Sequence, residues 1–157
     1  MNVGSILLAG FAATILMTTM MAASQGLGYT RMSIPFLLGT IFTASRDRAM
    51  VFGVIVHTID GLLFALLYGG LFELFGSATI LVGAGMGVLH GLFVLTVGML
   101  IIPGLHPRMV SEYYGPTPNR MLQPPGFLAL HYGRGTPVVT LLAHVLYGAM
   151  LGGLYRV

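Results

Sequence analysis

The sequence predicts an all-α integral membrane protein: four transmembrane helices in a bundle, with an ordered cap from two long loops on one side. Three observations carry that expectation. Of 157 residues, 56% are hydrophobic and only 7% are charged, against about 25% charged in an ordinary soluble domain. Mean hydropathy is +0.91, so the solvent must largely be lipid. The apolar residues gather into four runs of roughly 20 residues or more, the length that crosses a hydrocarbon core. The breaks between runs are one short and two long, which puts both long connections at one end of an antiparallel arrangement. Residues 1–157 read as a single membrane domain.

The first helix is expected over about 3–24. Ala22-Ala23-Ser24 imitates a signal-peptide cleavage site, but no Lys or Arg precedes the apolar run, and a secretory signal carries a positive n-region. Gly4, Ala9 and Ala13 offer a small-residue face for a neighbouring helix. Met17, Met20 and Met21 carry thioethers that suit Cu(I). Among 11 Met in the chain, gap-filling packing is the simpler account.

Loop 26–48 is not simply polar. Ile34 to Leu38 and Ile41-Phe42 are apolar but too short to span, so a short interfacial or re-entrant segment with Pro35 near its start is expected. Arg46-Asp47-Arg48 closes the loop at the membrane surface. The second helix is expected over about 49–75, followed by a three-residue break, Gly76-Ser77-Ala78, that suits a tight helical hairpin. The third, about 79–102, carries Gly83, Gly87 and Gly91 at four-residue spacing with His90 beside them, a repeated small-residue face.

Loop 103–135 contains six prolines (103, 107, 116, 118, 124 and 125) and the aromatics Tyr113, Tyr114, Phe127 and Tyr132. The prolines break regular helix, while the aromatic and apolar content argues against disorder. The expected result is an ordered cap lying on the membrane or on a partner. The fourth helix follows over about 137–155, with Pro137 suited to its first turn.

All seven basic residues are Arg, and the net charge is +3. They lie in loops and at the C-terminal end rather than on one helix face, so nucleic-acid binding is not expected. Six of them, Arg31, Arg46, Arg48, Arg108, Arg120 and Arg134, fall in the two long loops. The positive-inside rule then places those loops in the cytoplasm and both termini outside. The absence of Cys excludes disulfides, thiolate metal sites and thiol catalysis. No Gly-rich phosphate loop, nucleophile elbow or HExxH occurs, so no enzymatic activity is indicated.

The polar centre lies in residues 50–68, MVFGVIVHTIDGLLFALLY, where His57 and Asp60 sit three apart on one helical face. A charged group inside hydrocarbon costs about 2.5–3.5 kcal/mol on insertion scales, so such groups usually face a bundle interior. Counting about 1.5 Å of rise per residue puts His57 near 13 Å and His144 near 11 Å deep, with Asp60 near 18 Å and His90 near 19 Å. His57 and His144 would then share one layer as axial haem ligands. Alternatively, His57, Asp60, His90 and His144 would form an N/O site for Zn²⁺, Cu²⁺ or Fe²⁺, or a proton relay. A fourth reading is that Asp60 hydrogen-bonds a histidine and ties helices together. His57-Thr-Ile-Asp60-Gly61 is also echoed by His144-Val-Leu-Tyr147-Gly148. In the second long loop, His106, Arg108, Tyr113 and Tyr114 are candidates for lipid or partner contact, the guanidinium fork matching anionic groups.

The G-x-x-x-H-x-x-x-G spacing of Gly53, His57 and Gly61 is similar to that of small uncharacterised bacterial inner-membrane proteins of the YagU-like kind. The Gly-rich, His-bearing third helix, the tail Ile102-Pro103-Gly104-Leu105-His106-Pro107 and the Gly148-bearing helix carry the same resemblance. It implies a multi-pass protein of the bacterial inner (cytoplasmic) membrane and no catalytic residue. The function expected is that of a non-catalytic accessory subunit or partner in a larger membrane assembly or homo-oligomer. The alternatives are a haem- or metal-binding cofactor protein, and proton or ion handling as an oligomer.

Overall fold

Each apolar run forms a helix, and most ends carry a residue suited to the position. The structure, a computed structural model, describes residues 1–111, 114–120 and 122–157. Among them all regular structure is helical, with no strand. Helix α1 (Val3–Gly26) starts where the Asn2 side chain accepts from the Ser5 N–H at 3.0 Å, satisfying one of the free donors of the first turn. The apolar part of the first long loop forms α2 (Ile34–Gly39), capped by Ser33 with Pro35 in its first turn, as expected of its sequence. Helix α3 (Arg46–Phe75) begins three residues before the expected position and stops at Gly76, whose φ of 62° needs a residue without Cβ.

The third span is less regular than expected. It runs as α4 (Ile80–Phe93), a π-helical turn (Val94–Gly98) and α5 (Met99–Leu105), which carries Pro103 in its interior. Pro103 has no N–H to return to the preceding turn. A 3₁₀ segment (Phe127–Tyr132) then leads to α6 (Thr136–Leu154), with Pro137 in its first turn. Four helices, Val3–Gly26, Arg46–Phe75, Ile80–Leu105 and Thr136–Leu154, are long and apolar enough to cross a membrane.

The four long helices pack as an arc. Helix α1 lies between α3 and α6, and α6 packs on α4, while α3 and α4 approach each other little despite their short connecting turn. At one end, the Asn2 N–H donates to Tyr155 Oη at 3.0 Å and Tyr155 donates to Glu73 Oε1 at 2.6 Å. This joins the start of α1, the end of α6 and the end of α3. At the other end the two long connections are tied together. The Arg31 N–H donates to the Tyr132 carbonyl at 2.7 Å, and the Thr30 and Thr136 hydroxyls meet at 2.7 Å.

Glycine sets the close approaches. A Cβ on Gly83 would overlap the Gly148 carbonyl, one on Gly148 the Gly83 carbonyl, and one on Gly87 the His144 carbonyl. Helices α4 and α6 therefore touch backbone to backbone, along the small-residue face the sequence predicts. The expected face of α1 is shifted: Ala9 and Ala13 are buried together with Gly10 and Thr14, whereas Gly4 is exposed and meets only the Asn2 cap. Gly10 lies against Ala65 and Gly61 against Thr14, which brings α1 onto α3.

These contacts predict a sharp contrast between two Gly→Ala changes. Gly148→Ala should destabilise the fold by about 1–3 kcal/mol, as overpacking does. Gly85→Ala, where the added Cβ meets open space, should be neutral or stabilise by up to about 1 kcal/mol through helix propensity. Unfolding in detergent of the two variants beside wild type measures both.

Candidate functional site

Two helical stripes of equal spacing build the site. On α3, His57, Asp60, Gly61 and Phe64 stand at i, i+3, i+4 and i+7. On α6, Thr140, Ala143, His144 and Tyr147 repeat that spacing. This periodicity keeps four residues on one face. Both stripes line a cavity of about 270 Å³ inside the arc, with His90 and Val94 from the third span and Met17, Thr18 and Met21 from α1. Ser33, Pro35 and Leu38 line it toward the loop end.

His90 is the centre of an aromatic cluster at the deep end. Its ring lies 4.1 Å from Phe64 and 4.7 Å from His144, edge-on at 77°, with Tyr68 at 6.0 Å and Tyr147 at 6.3 Å between centroids. Tyr68 Oη and His90 Nδ1 are 3.4 Å apart. His144 Nδ1 stands 2.8 Å from the Thr140 carbonyl. A carbonyl only accepts, so Nδ1 carries the proton, and the neutral ring presents Nε2 as an acceptor. Tyr147 donates to the Gly61 carbonyl at 2.5 Å, joining α6 to α3.

Three polar side chains in the cavity wall, those of His57, Asp60 and Thr140, have no hydrogen-bond or ion-pair partner among the described residues. The Thr140 hydroxyl oxygen is buried, the residue being 2% exposed, and makes no hydrogen bond. Asp60 is half-buried and forms no ion pair; among the described residues the carboxylate that does is Glu73, near the far end of α3.

The structure thus brings His57, Asp60, His90 and His144 to one cavity, but not in the layers their chain positions suggest. The ring packed on His144 is His90, not His57. Two offsets explain the difference. Helix α3 starts earlier than expected, and α6 starts inside the fold, with Thr136 fully buried against Thr30. The proposed four-ligand metal set is not assembled: no three His, Asp or Glu among the described residues gather as metal ligands.

The expected surface contact of His106 and Arg108 is corrected. His106 is 4% exposed. Its Nδ1 accepts from the Arg108 N–H at 3.1 Å, so Nε2 carries the proton and donates to the Leu37 carbonyl at 3.0 Å, with Thr40 Oγ1 at 3.2 Å. The Arg108 guanidinium donates to the Thr40 and Ile41 carbonyls at 2.7 and 3.0 Å. His106-Pro107-Arg108 is an internal clamp on the C-terminal end of α2, where carbonyls lack helical partners. Tyr114 is exposed, with the Arg120 guanidinium 4.9 Å from its ring centroid. Tyr113 lies outside the described residues. The sequence does not single out Thr140, Phe64 or Tyr68, and names Tyr147 only within the echoed motif; the i+4 relation of Thr140 to His144 is the available signal.

No protein family, no curated protein and no solved structure matches the chain.

The clamp predicts a pH dependence. Burial, with the Arg108 charge acting in the same direction, holds His106 below the ordinary imidazole value of 6.5. The unfolded chain then binds more protons than the folded one as pH falls through about 6.5, so stability present above that pH is lost below it. Protection factors for hydrogen exchange, corrected for the intrinsic pH dependence of the exchange rate, should fall at residues 36–41 and 106–110 between pH 7.5 and 5.5 in wild type. His106→Gln, which keeps a donor and cannot titrate, should abolish the pH effect. His106→Ala should destabilise by about 1–3 kcal/mol through unsatisfied buried groups.

Proposed function

We propose that the protein spans a bilayer four times and binds a small, largely apolar molecule in the cavity inside its arc of helices. The observation that carries this reading is the pairing of an apolar cavity with polar groups that the protein itself leaves unpartnered, the Thr140 hydroxyl and the Asp60 carboxylate. Buried polar groups are ordinarily hydrogen-bonded, and exceptions call for an explanation. A concave apolar site with a few convergent polar groups is the usual form of a small-molecule site.

Membrane insertion is supported by the outer face of the arc. Leu63, Leu67, Leu81 and Leu89 are all more than half exposed, a surface far more apolar than water-soluble monomers present. The arginine-rich loops lie at one end, which the positive-inside rule assigns to the cytoplasm. Glycine faces could also receive a helix of a larger membrane assembly, as an accessory subunit would need, but α4 and α6 use theirs on each other. The YagU-like resemblance is compatible with this reading and names no ligand.

Thr140→Val tests the reading, because it removes the hydroxyl and keeps the shape. The ligand-free variant should be more stable than wild type by about 1 kcal/mol, since an unpaired buried hydroxyl is lost. A loss of stability would show that the hydroxyl is already satisfied, and the argument for a ligand there would fail. Topology is checked separately. The chain has no Cys, so single cysteines at Arg120 and Ser77 in spheroplasts should be labelled from opposite faces, Ser77 from outside.

A further inference from the structure

The polar groups of the cavity are unbalanced, and the imbalance points to a ligand class. Asp60 is the one acidic side chain in the lining, and no Arg joins it there; the chain has no Lys. The Nε2 of His144 is an acceptor once Nδ1 donates to Thr140, and the Tyr147 O–H is already committed to Gly61. The wall therefore offers acceptors and a carboxylate with no permanent cation beside them. Around these groups stand the Phe64 and His90 rings, 4.1 Å apart, and the thioethers of Met17 and Met21. Aromatic faces attract cations, most strongly where water is excluded.

Other ligand classes fit less well. An anion would meet Asp60 with no Arg or Lys to bind it, the basic side chains of the lining being the imidazoles of His57, His90 and His144. A metal ion would need three ligands that do not gather among the described residues. A neutral apolar molecule would leave the carboxylate uncompensated in a low-dielectric wall, which is costly. The volume of about 270 Å³ lies just below the usual range for drug-sized ligands, which suits a body of one aromatic ring.

We propose that the cavity binds a monovalent organic ammonium ion on a single-ring apolar body, with Asp60 as its counter-ion and Phe64 as its aromatic wall. This rests on the small-molecule reading above. The test uses two probes of nearly equal shape, benzyltrimethylammonium and its uncharged isostere neopentylbenzene, titrated calorimetrically into protein held in phosphatidylcholine nanodiscs. Wild type should bind the cation more tightly than the isostere. Asp60→Asn should lose at least ten-fold in cation affinity while holding the isostere as before, which also reports that the variant is folded. Phe64→Leu should lower cation affinity several-fold and the isostere less, giving a second measurement if Asp60→Asn does not fold. Equal binding of the two probes to wild type, or cation affinity unchanged in Asp60→Asn, would overturn charge recognition and leave the small-molecule site standing. Binding of neither probe to wild type would overturn the site as well.

Discussion

The backbone contact between α4 and α6 is the constraint on which the rest of the structure depends. Gly83, Gly87, Gly148 and Gly152 let the two helices approach until carbonyls of one meet the Cα positions of the other. That approach fixes the level of α6 against α4, and with it the placement of the His144 ring on His90. It also directs α6 away from α3. The two helices joined by the shortest connection, α3 and α4, become the open arms of an arc, and α1 fills the position between α3 and α6. A cavity follows because small residues draw the helices together along two seams while Phe64, Tyr68 and His90 hold the arms apart with rings. Tight packing and a void are produced by the same sequence, a residue apart: Gly91 lies against His144 while His90 faces the cavity.

Much of the helical layout is legible along the chain because it depends on local pattern. Four apolar runs gave four long helices, the break at Gly76 ended α3, Pro35 lay near the start of α2, and the four-residue glycine spacing marked a seam that α4 and α6 occupy. Relative depth was not legible. Counting rise per residue from assumed boundaries treats each helix as starting at a common plane, and Thr136 does not lie in one; it is buried beside Thr30. His106 and Arg108 were misread for a related reason. A juxtamembrane His-Pro-Arg reads as a surface motif when nothing in the sequence reveals that the carbonyls of Leu37, Thr40 and Ile41, some 65 to 70 residues earlier, lie within reach. Long-range partners of short polar segments are set by packing, and no local pattern announces them.

The candidate site shows the same division. That His57, Asp60, His90 and His144 belong together could be read from their rarity in apolar helices, since each ionisable group there demands an explanation. Their division of roles could not. The Thr140 carbonyl, not a neighbouring helix, fixes the tautomer of His144, through a contact of residues four apart on one helix. Tyr147, the polar residue of the echoed motif, reaches the backbone of Gly61 in the other copy, so the two similar segments face each other rather than repeating one task. Gly61 serves both partners: its missing Cβ admits Thr14, and its carbonyl takes the Tyr147 proton.

Hydrogen bonding in this wall is satisfied wherever backbone is available and left open where only side chains face the cavity. Tyr147, His144 and Thr18 all bond to carbonyls, which rigid helices supply at fixed positions. Asp60 has no such recourse, because an ionised carboxylate accepts only, and the N–H groups of helical backbone are already turned into their own helix. Among the described residues no side-chain donor bonds to it, and the permanent cations cannot, since every Arg lies at the ends of the fold. A donor or a cation from outside the chain is then the partner that the geometry admits. The same limitation explains why the cavity is acceptor-rich: in a helical wall side chains take the backbone's acceptors, and what remains facing inward is what the backbone cannot satisfy.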